Sequence, residues 1–160
     1  MVTGLPGTGK TSLAKEISLL TDASFLSSDK VRKELFKKPT YDSKEKDLVY
    51  RALFLLAKYI HATGKNCVID ASFFKEKLRK RAASILNSEK SQLKIIECAC
   101  PDNVAIKRIK SRKAGYSDAD ESVFYKIKNE YEPISEKHIT IDTSQKSPAD
   151  CAKQAIAQLE

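Results

Sequence analysis

Near the beginning of the 160-residue chain, Gly4, Leu5, Pro6, Gly7, Thr8, Gly9, Lys10, Thr11 and Ser12 combine three glycines with one lysine and neighbouring hydroxyls. That mixture suits the cradling of a polyphosphate. Glycines let the backbone turn tightly and aim its N–H groups inward, and a helix beginning at the loop adds partial positive charge. The spacing fits GxxxxGK[ST] at every fixed position, with Lys10 set to reach the β and γ phosphates and the Thr11 hydroxyl to complete a Mg²⁺ shell. Leu13, Ala14, Ile17 and Leu20 supply the apolar stripe of the helix that must follow. A Gly-rich turn before an ordinary helix is the bland alternative, and the flanks weigh against it.

Three further signals belong with phosphoryl transfer. Asp29 closes the apolar segment from Ala23 to Ser27, and Arg32 follows one helical turn later. A carboxylate there can take the proton of an attacking hydroxyl, and a guanidinium can hold an anionic acceptor. Otherwise Asp29 is a helix N-cap and Arg32 a surface residue. CVID, Cys67 to Asp70, has the form of a Walker B strand whose carboxylate orients Mg²⁺ or its water, although buried strands also end in Asp for turn chemistry alone. Arg108 and Arg112 stand four apart on a helical stretch and share a face that can neutralise charge developing on a transferred phosphoryl group. Lys107, Lys110 and Lys113 beside them equally fit a solvated basic face.

These residues need a scaffold that brings several strand ends to one edge. Short β-rich runs alternate with longer helical stripes, the pattern of a parallel sheet sandwiched by helices. The expected strands are Met1 to Thr3, Ala23 to Ser27, Asn66 to Asp70, Leu93 to Cys100 and His138 to Asp142. Leu48, Ala52, Leu55 and Tyr59 form the apolar stripe of one long helix from Asp42 to Thr63, opened by a capping box of Asp42 with Glu45 and stopped by Gly64. Ser117 with Asp120 starts another helix to about Tyr131 after a break at Gly115 and Tyr116, with Pro133 just beyond its end. Ser147, Pro148 and Asp150 open the last one. The leading strand is short, so either the start codon is this close or the authentic chain begins upstream.

Composition bounds the reading. A single domain over residues 1–160 is expected, with 41% hydrophobic and 31% charged residues, ordinary for a soluble enzyme. The apolar runs are too short for a membrane span, and no signal peptide precedes the loop, so the expected location is cytoplasmic. Cys67, Cys98, Cys100 and Cys151 lack CxxC spacing and read as small core residues, not zinc ligands. The net charge of +8 favours a polyanionic partner without choosing between nucleotides and nucleic acid.

Taken together, GLPGTGKTSLA, SSDKVRKELF, Val49 with Tyr50, VIDASF, Arg108 with Arg112, and SDAD at Ser117 to Asp120 resemble the small predicted P-loop kinases of AAA_33 type, over nearly the whole chain. Polynucleotide 5′-hydroxyl kinases share the same skeleton. The resemblance implies a P-loop NTPase fold, nucleoside-monophosphate-kinase-like, an α/β three-layer sandwich with a five-stranded parallel sheet and an arginine lid. It implies that the loop from Gly4 to Ser12 binds ATP and that Lys10 is catalytic. Thr11 and Asp70 would serve Mg²⁺, Asp29 would be the general base, Arg32 would grip the acceptor, and Arg108 with Arg112 would belong to the lid. An acceptor contact from Arg79 or Arg81 stays open. The expected activity is ATP- and Mg²⁺-dependent transfer of the γ-phosphoryl group to a hydroxyl, on a nucleic-acid 5′ end or a small metabolite, by a monomer or homodimer. The rivals are a slowly hydrolysing ATP-binding switch, which needs no acceptor base, and a nucleic-acid-binding protein whose nucleotide site is secondary.

Overall fold

The computed structural model describes residues 1–87, 93–112 and 117–159. Lys113, Gly115 and Tyr116 lie outside them. Five short strands, β1 (Val2–Thr3), β2 (Ser24–Ser27), β3 (Cys67–Asp70), β4 (Ile96–Ala99) and β5 (Ile139–Asp142), form one parallel sheet in the order β2-β3-β1-β4-β5. All five lie within the segments read from sequence, four starting one residue later and β4 shortened at both ends.

Neighbouring residues on these strands feed opposite cores, as the pleat requires. Val2, Val68 and Ile96 pack on one face with Leu13, Ala14 and Ile17 of α1 (Lys10–Leu20) and with Cys151, Ala152 and Ala155 of α7 (Pro148–Leu159). Ile69 and Ile95 pack on the other face against α3 (Ser43–Ala62) and Ala82 of α4 (Glu76–Leu86). Such strands are buried on both sides and read as continuous apolar runs. Chain order starts in the middle of the sheet and then fills first one side and then the other. The loop after β1 therefore sits where the windings diverge, the usual ligand crevice of open α/β sheets.

The long helix forms where expected, with the Asp42 carboxylate accepting from the Glu45 N–H at 2.8 Å. Its inward face differs from the stripe read from sequence. Val49, Tyr50, Leu53, Phe54 and Ala57 are buried, while Leu48, Leu55 and Tyr59 face solvent. The Glu45 side chain also departs from a reciprocal box, since it accepts from the Thr40 N–H and pairs with Arg32. The remaining helices are α2 (Ser28–Leu35), α5 (Asp102–Ser111) and α6 (Glu121–Glu130). Helix α6 is capped by Asp120, which accepts from the Val123 N–H, and not by Ser117. Ser147 caps α7, its hydroxyl accepting from the Asp150 N–H at 3.2 Å.

Cys98 and Cys151 are buried, Cys67 and Cys100 half-buried, and all four thiols are free. Among the described residues no helix is long and apolar enough to cross a membrane, and no group of three or more His, Cys, Asp or Glu side chains is placed to hold a metal.

Candidate active site

Two glycines show why the loop tolerates nothing larger. Gly4 and Gly7 both have positive φ, and a Cβ on either would come within 2.4 Å of a backbone carbonyl oxygen, that of Cys98 or of Ala105. The loop is thus wedged between β4 and α5. Gly9 then hands the chain into α1, so Lys10 and Thr11 occupy its first turn. The free N–H groups of that turn face an incoming anion.

Lys10 Nζ donates to the Leu5 carbonyl at 2.7 Å, folding back over the loop. Burial pushes its pKa down, and the nearby Asp70 carboxylate pulls it back up. Asp70, 4% exposed, accepts from the Thr11 hydroxyl at 2.6 Å. Burial raises the Asp70 carboxyl above the usual carboxylate range, opposed first by Lys10 and then by the Thr11 bond. A hydroxyl and a carboxylate in contact, beside a phosphate loop, form a hard-oxygen donor set that fits Mg²⁺.

Asp29 stands in the first turn of α2, directly after β2, and Ser27 occupies the N-cap position in its place. Among the described residues its half-buried carboxylate makes no hydrogen bond or ion pair, while its charge is felt at Lys10 and Asp70. Arg32 is 6% exposed and bonded through Nη1 to Glu45, with its guanidinium 4.7 Å from the centre of the Tyr41 ring. Its Nε is buried without a partner. Tyr41 holds a left-handed backbone, φ 60°, and donates its hydroxyl to Asp118. Lys33 reaches the other Asp118 oxygen at 2.8 Å, and these two contacts hold Asp118 below the usual carboxylate range.

Arg108 lies in the last turn of α5, and Arg112 is its C-cap with extended backbone, so the two do not share a continuous helical face. Arg112 Nη1 donates to the Ser117 carbonyl at 3.0 Å, and its charge depresses the Lys10 pKa. Arg108 is anchored on Thr143, Nη1 to the hydroxyl at 3.1 Å and Nη2 to the carbonyl at 2.6 Å. The Thr143 hydroxyl in turn donates to the Thr8 carbonyl at 2.7 Å. Sequence reasoning missed Thr143. The available signal was its place directly after β5, on the same sheet edge as Asp70.

Arg79 and Arg81 separate clearly. Arg79 is fully buried and clamps the Phe73 and Pro133 carbonyls and the Glu136 carboxylate, tying α4 to the segment before β5. Arg81 pairs at the surface with Asp47 of α3.

The family model of the AAA domain, AAA_33, matches residues 1–134. The chain belongs to that family. Uncharacterized proteins of Mycobacterium tuberculosis and Mycobacterium bovis are 26% identical to it over 131 residues, 74% of this chain and 26% of theirs. It therefore spans about a quarter of the length of these curated relatives. A sugar kinase from Janibacter superposes with a TM-score of 0.77 at 18% identity, covering 99% of this chain and 91% of that one. The Mycobacterium tuberculosis APS kinase, in complex with AMPPNP and APS, gives 0.76 at 18% identity over 99% and 94%. A gluconokinase from Sinorhizobium meliloti gives 0.73 at 16% identity over 99% and 89%. At such identities the likeness is one of fold, and that fold is the P-loop kinase sandwich.

Proposed function

We propose that the protein is an ATP- and Mg²⁺-dependent phosphotransferase that moves the γ-phosphoryl group of ATP to a hydroxyl acceptor. The observation that carries the reading is the Asp29 carboxylate, which among the described residues no cap or ion pair occupies, just past the end of β2 that is in register with Asp70 and near Lys10. A nucleotide switch needs no such base. The loop from Gly4 to Ser12 holds the phosphates through its N–H groups, and Lys10 leaves the Leu5 carbonyl to follow the β and γ oxygens. Thr11 and Asp70 would hold Mg²⁺, which when bound draws charge from the phosphate oxygens.

Asp29 orients the acceptor hydroxyl and takes its proton as the phosphoryl group moves across. Arg108 and Arg112 supply positive charge to the equatorial oxygens of a loose transition state. Arg32 has its charge balanced by Glu45, and its buried Nε–H, which lacks a partner, can donate a hydrogen bond to an acceptor. That balance favours a small neutral hydroxyl compound over a nucleic-acid end, whose phosphates call for unpaired guanidinium. The test is label transfer from γ-labelled ATP to a panel of sugars, polyols, nucleosides and oligonucleotide 5′ ends. Transfer to a neutral hydroxyl compound supports the reading, and ATP hydrolysis unaffected by every acceptor, with no labelled product, overturns it.

A further inference from the structure

The solvent-facing seam of α3 is a surface that phosphoryl transfer does not use. Leu48, Leu55 and Tyr59 are 45%, 56% and 68% exposed, with Ala52 between them in the same row. Their spacing of four, three and four residues is the alternation by which one helix packs along another. On a helix of 3.6 residues per turn these positions fall within about 60° of one another, a narrow seam. The opposite face of α3 is already buried against the sheet, so the seam is surplus to the domain's own core.

One edge of the seam is basic. Lys44, Arg51 and Lys58 recur every seven residues and all three are exposed. Beyond that ridge Asp47 is paired with Arg81 of α4. The other edge carries Leu56, 42% exposed. An apolar seam with cations along one side fits an amphipathic helix that is apolar at its own seam and acidic along the facing edge. We propose that α3 docks such a helix, contributed by a partner protein.

Two other occupants fit less well. A second copy packed seam to seam would set basic ridge against basic ridge, or leave both ridges beside Leu56, with no carboxylate for any of the cations. An anionic bilayer favours a broad apolar face with cations on its polar side, whereas this seam is narrow and basic along one edge only.

The experiment uses the whole chain and two synthetic helical peptides about three heptads long, with leucine at the seam positions and either Glu or Lys along the flanking edge. The expected result is saturable binding of the Glu-edged peptide by fluorescence anisotropy, about tenfold tighter than the Lys-edged one, as several exposed ion pairs acting together provide. Leu55→Glu should abolish that binding while leaving thermal unfolding unchanged, since the side chain is mostly exposed. A triple variant of Lys44→Glu, Arg51→Glu and Lys58→Glu should reverse the preference. Equal binding of both peptides, no binding of either, or a chain dimer that Leu55→Glu dissolves would each overturn the proposal. So would partition onto phosphatidylserine vesicles that Leu55→Glu removes, without peptide binding.

Discussion

Thr143 and Arg108 are locked together at the rim of the phosphate loop. The Arg108 guanidinium spans the hydroxyl and carbonyl of Thr143 at 3.1 and 2.6 Å, while the same hydroxyl donates to the Thr8 carbonyl at 2.7 Å. One buried hydroxyl thus ties the arginine to the loop it is proposed to serve. Thr143→Val keeps the shape and removes the hydrogen bonds, leaving the Thr8 carbonyl and one Arg108 N–H short of a partner. Losing one such bond is worth about 1 kcal/mol or more, so ATP affinity should fall roughly tenfold, a change of about 1.4 kcal/mol. Thr143→Ser should recover most of it. Titration calorimetry with ATP checks both, and a valine variant that binds like the parent removes the bridge from the site.

For Lys10→Ala the expected outcome is loss of transfer with the fold intact. Among the described residues the Lys10 ammonium bonds only to the Leu5 carbonyl, within its own loop. Thermal unfolding and label transfer measured on the same preparation separate the two effects. Retained activity would take the loop lysine out of the mechanism.

Asp29→Asn should preserve nucleotide affinity and lower turnover by roughly 10²- to 10⁴-fold, the worth of a positioned proton acceptor. The substitution is nearly isosteric, and among the described residues Asp29 holds no hydrogen bond or ion pair that the change would break. Turnover within twofold of the parent would return Asp29 to an ordinary helix-start residue. Single-turnover kinetics with pre-bound ATP isolates the step.

Much of this arrangement is legible in the residues, and the failures have physical causes. The strands are readable because parallel strands with both faces buried collect runs such as CVID. The loop is readable because its backbone geometry dictates glycine at Gly4 and Gly7, where a side chain would strike backbone. The inward face of α3 was not readable, because Leu48, Ala52, Leu55 and Tyr59 carry as good a helical period as Val49, Leu53 and Ala57. Choosing between them takes knowledge of what packs against the helix, in this case Ile69 of β3 and the Phe73 ring from the loop after it. The Arg32 pairing hid for a related reason. Glu45 sits where a capping box wants a carboxylate, and nothing local says that its side chain turns to Arg32 and Thr40. Thr143 meets Thr8 across a separation of 135 residues, beyond the reach of any spacing rule.

Arg79 and Arg81, two residues apart on α4, should respond oppositely to alanine. Arg79 is buried with bonds to two carbonyls and to Glu136, so its removal strands a partly buried carboxylate and two acceptors, at a cost of about 3–5 kcal/mol. Arg81 makes a surface pair with Asp47, and its loss should change stability by less than about 1 kcal/mol. Urea midpoints for the two variants check this directly. Equal and small changes would mean that Arg79 does not brace the segment before β5.

Arg108→Ala and Arg112→Ala are expected to act on turnover, by different routes. Arg108 is already seated at the loop through Thr143, so alanine removes both transition-state charge and the anchor, and ATP affinity should fall along with turnover. Among the described residues Arg112 holds only the Ser117 carbonyl, yet its charge reaches Lys10, so its loss should lower turnover at saturating ATP with little change in affinity. Arginines that stabilise a transferring phosphoryl group are worth on the order of 10³-fold, about 4 kcal/mol, whereas a solvated arginine alters stability by a few tenths of a kcal/mol. Lysine should rescue neither fully, because a point charge cannot span two oxygens as the planar fork does. Steady-state kinetics of the two alanine and two lysine variants, with the acceptor found by label transfer, decides the matter. If both alanine variants turn over within twofold of the parent, no arginine lid acts after β4, and α5 with its C-cap is a basic solvated face whose Arg108 serves only to tie Thr143.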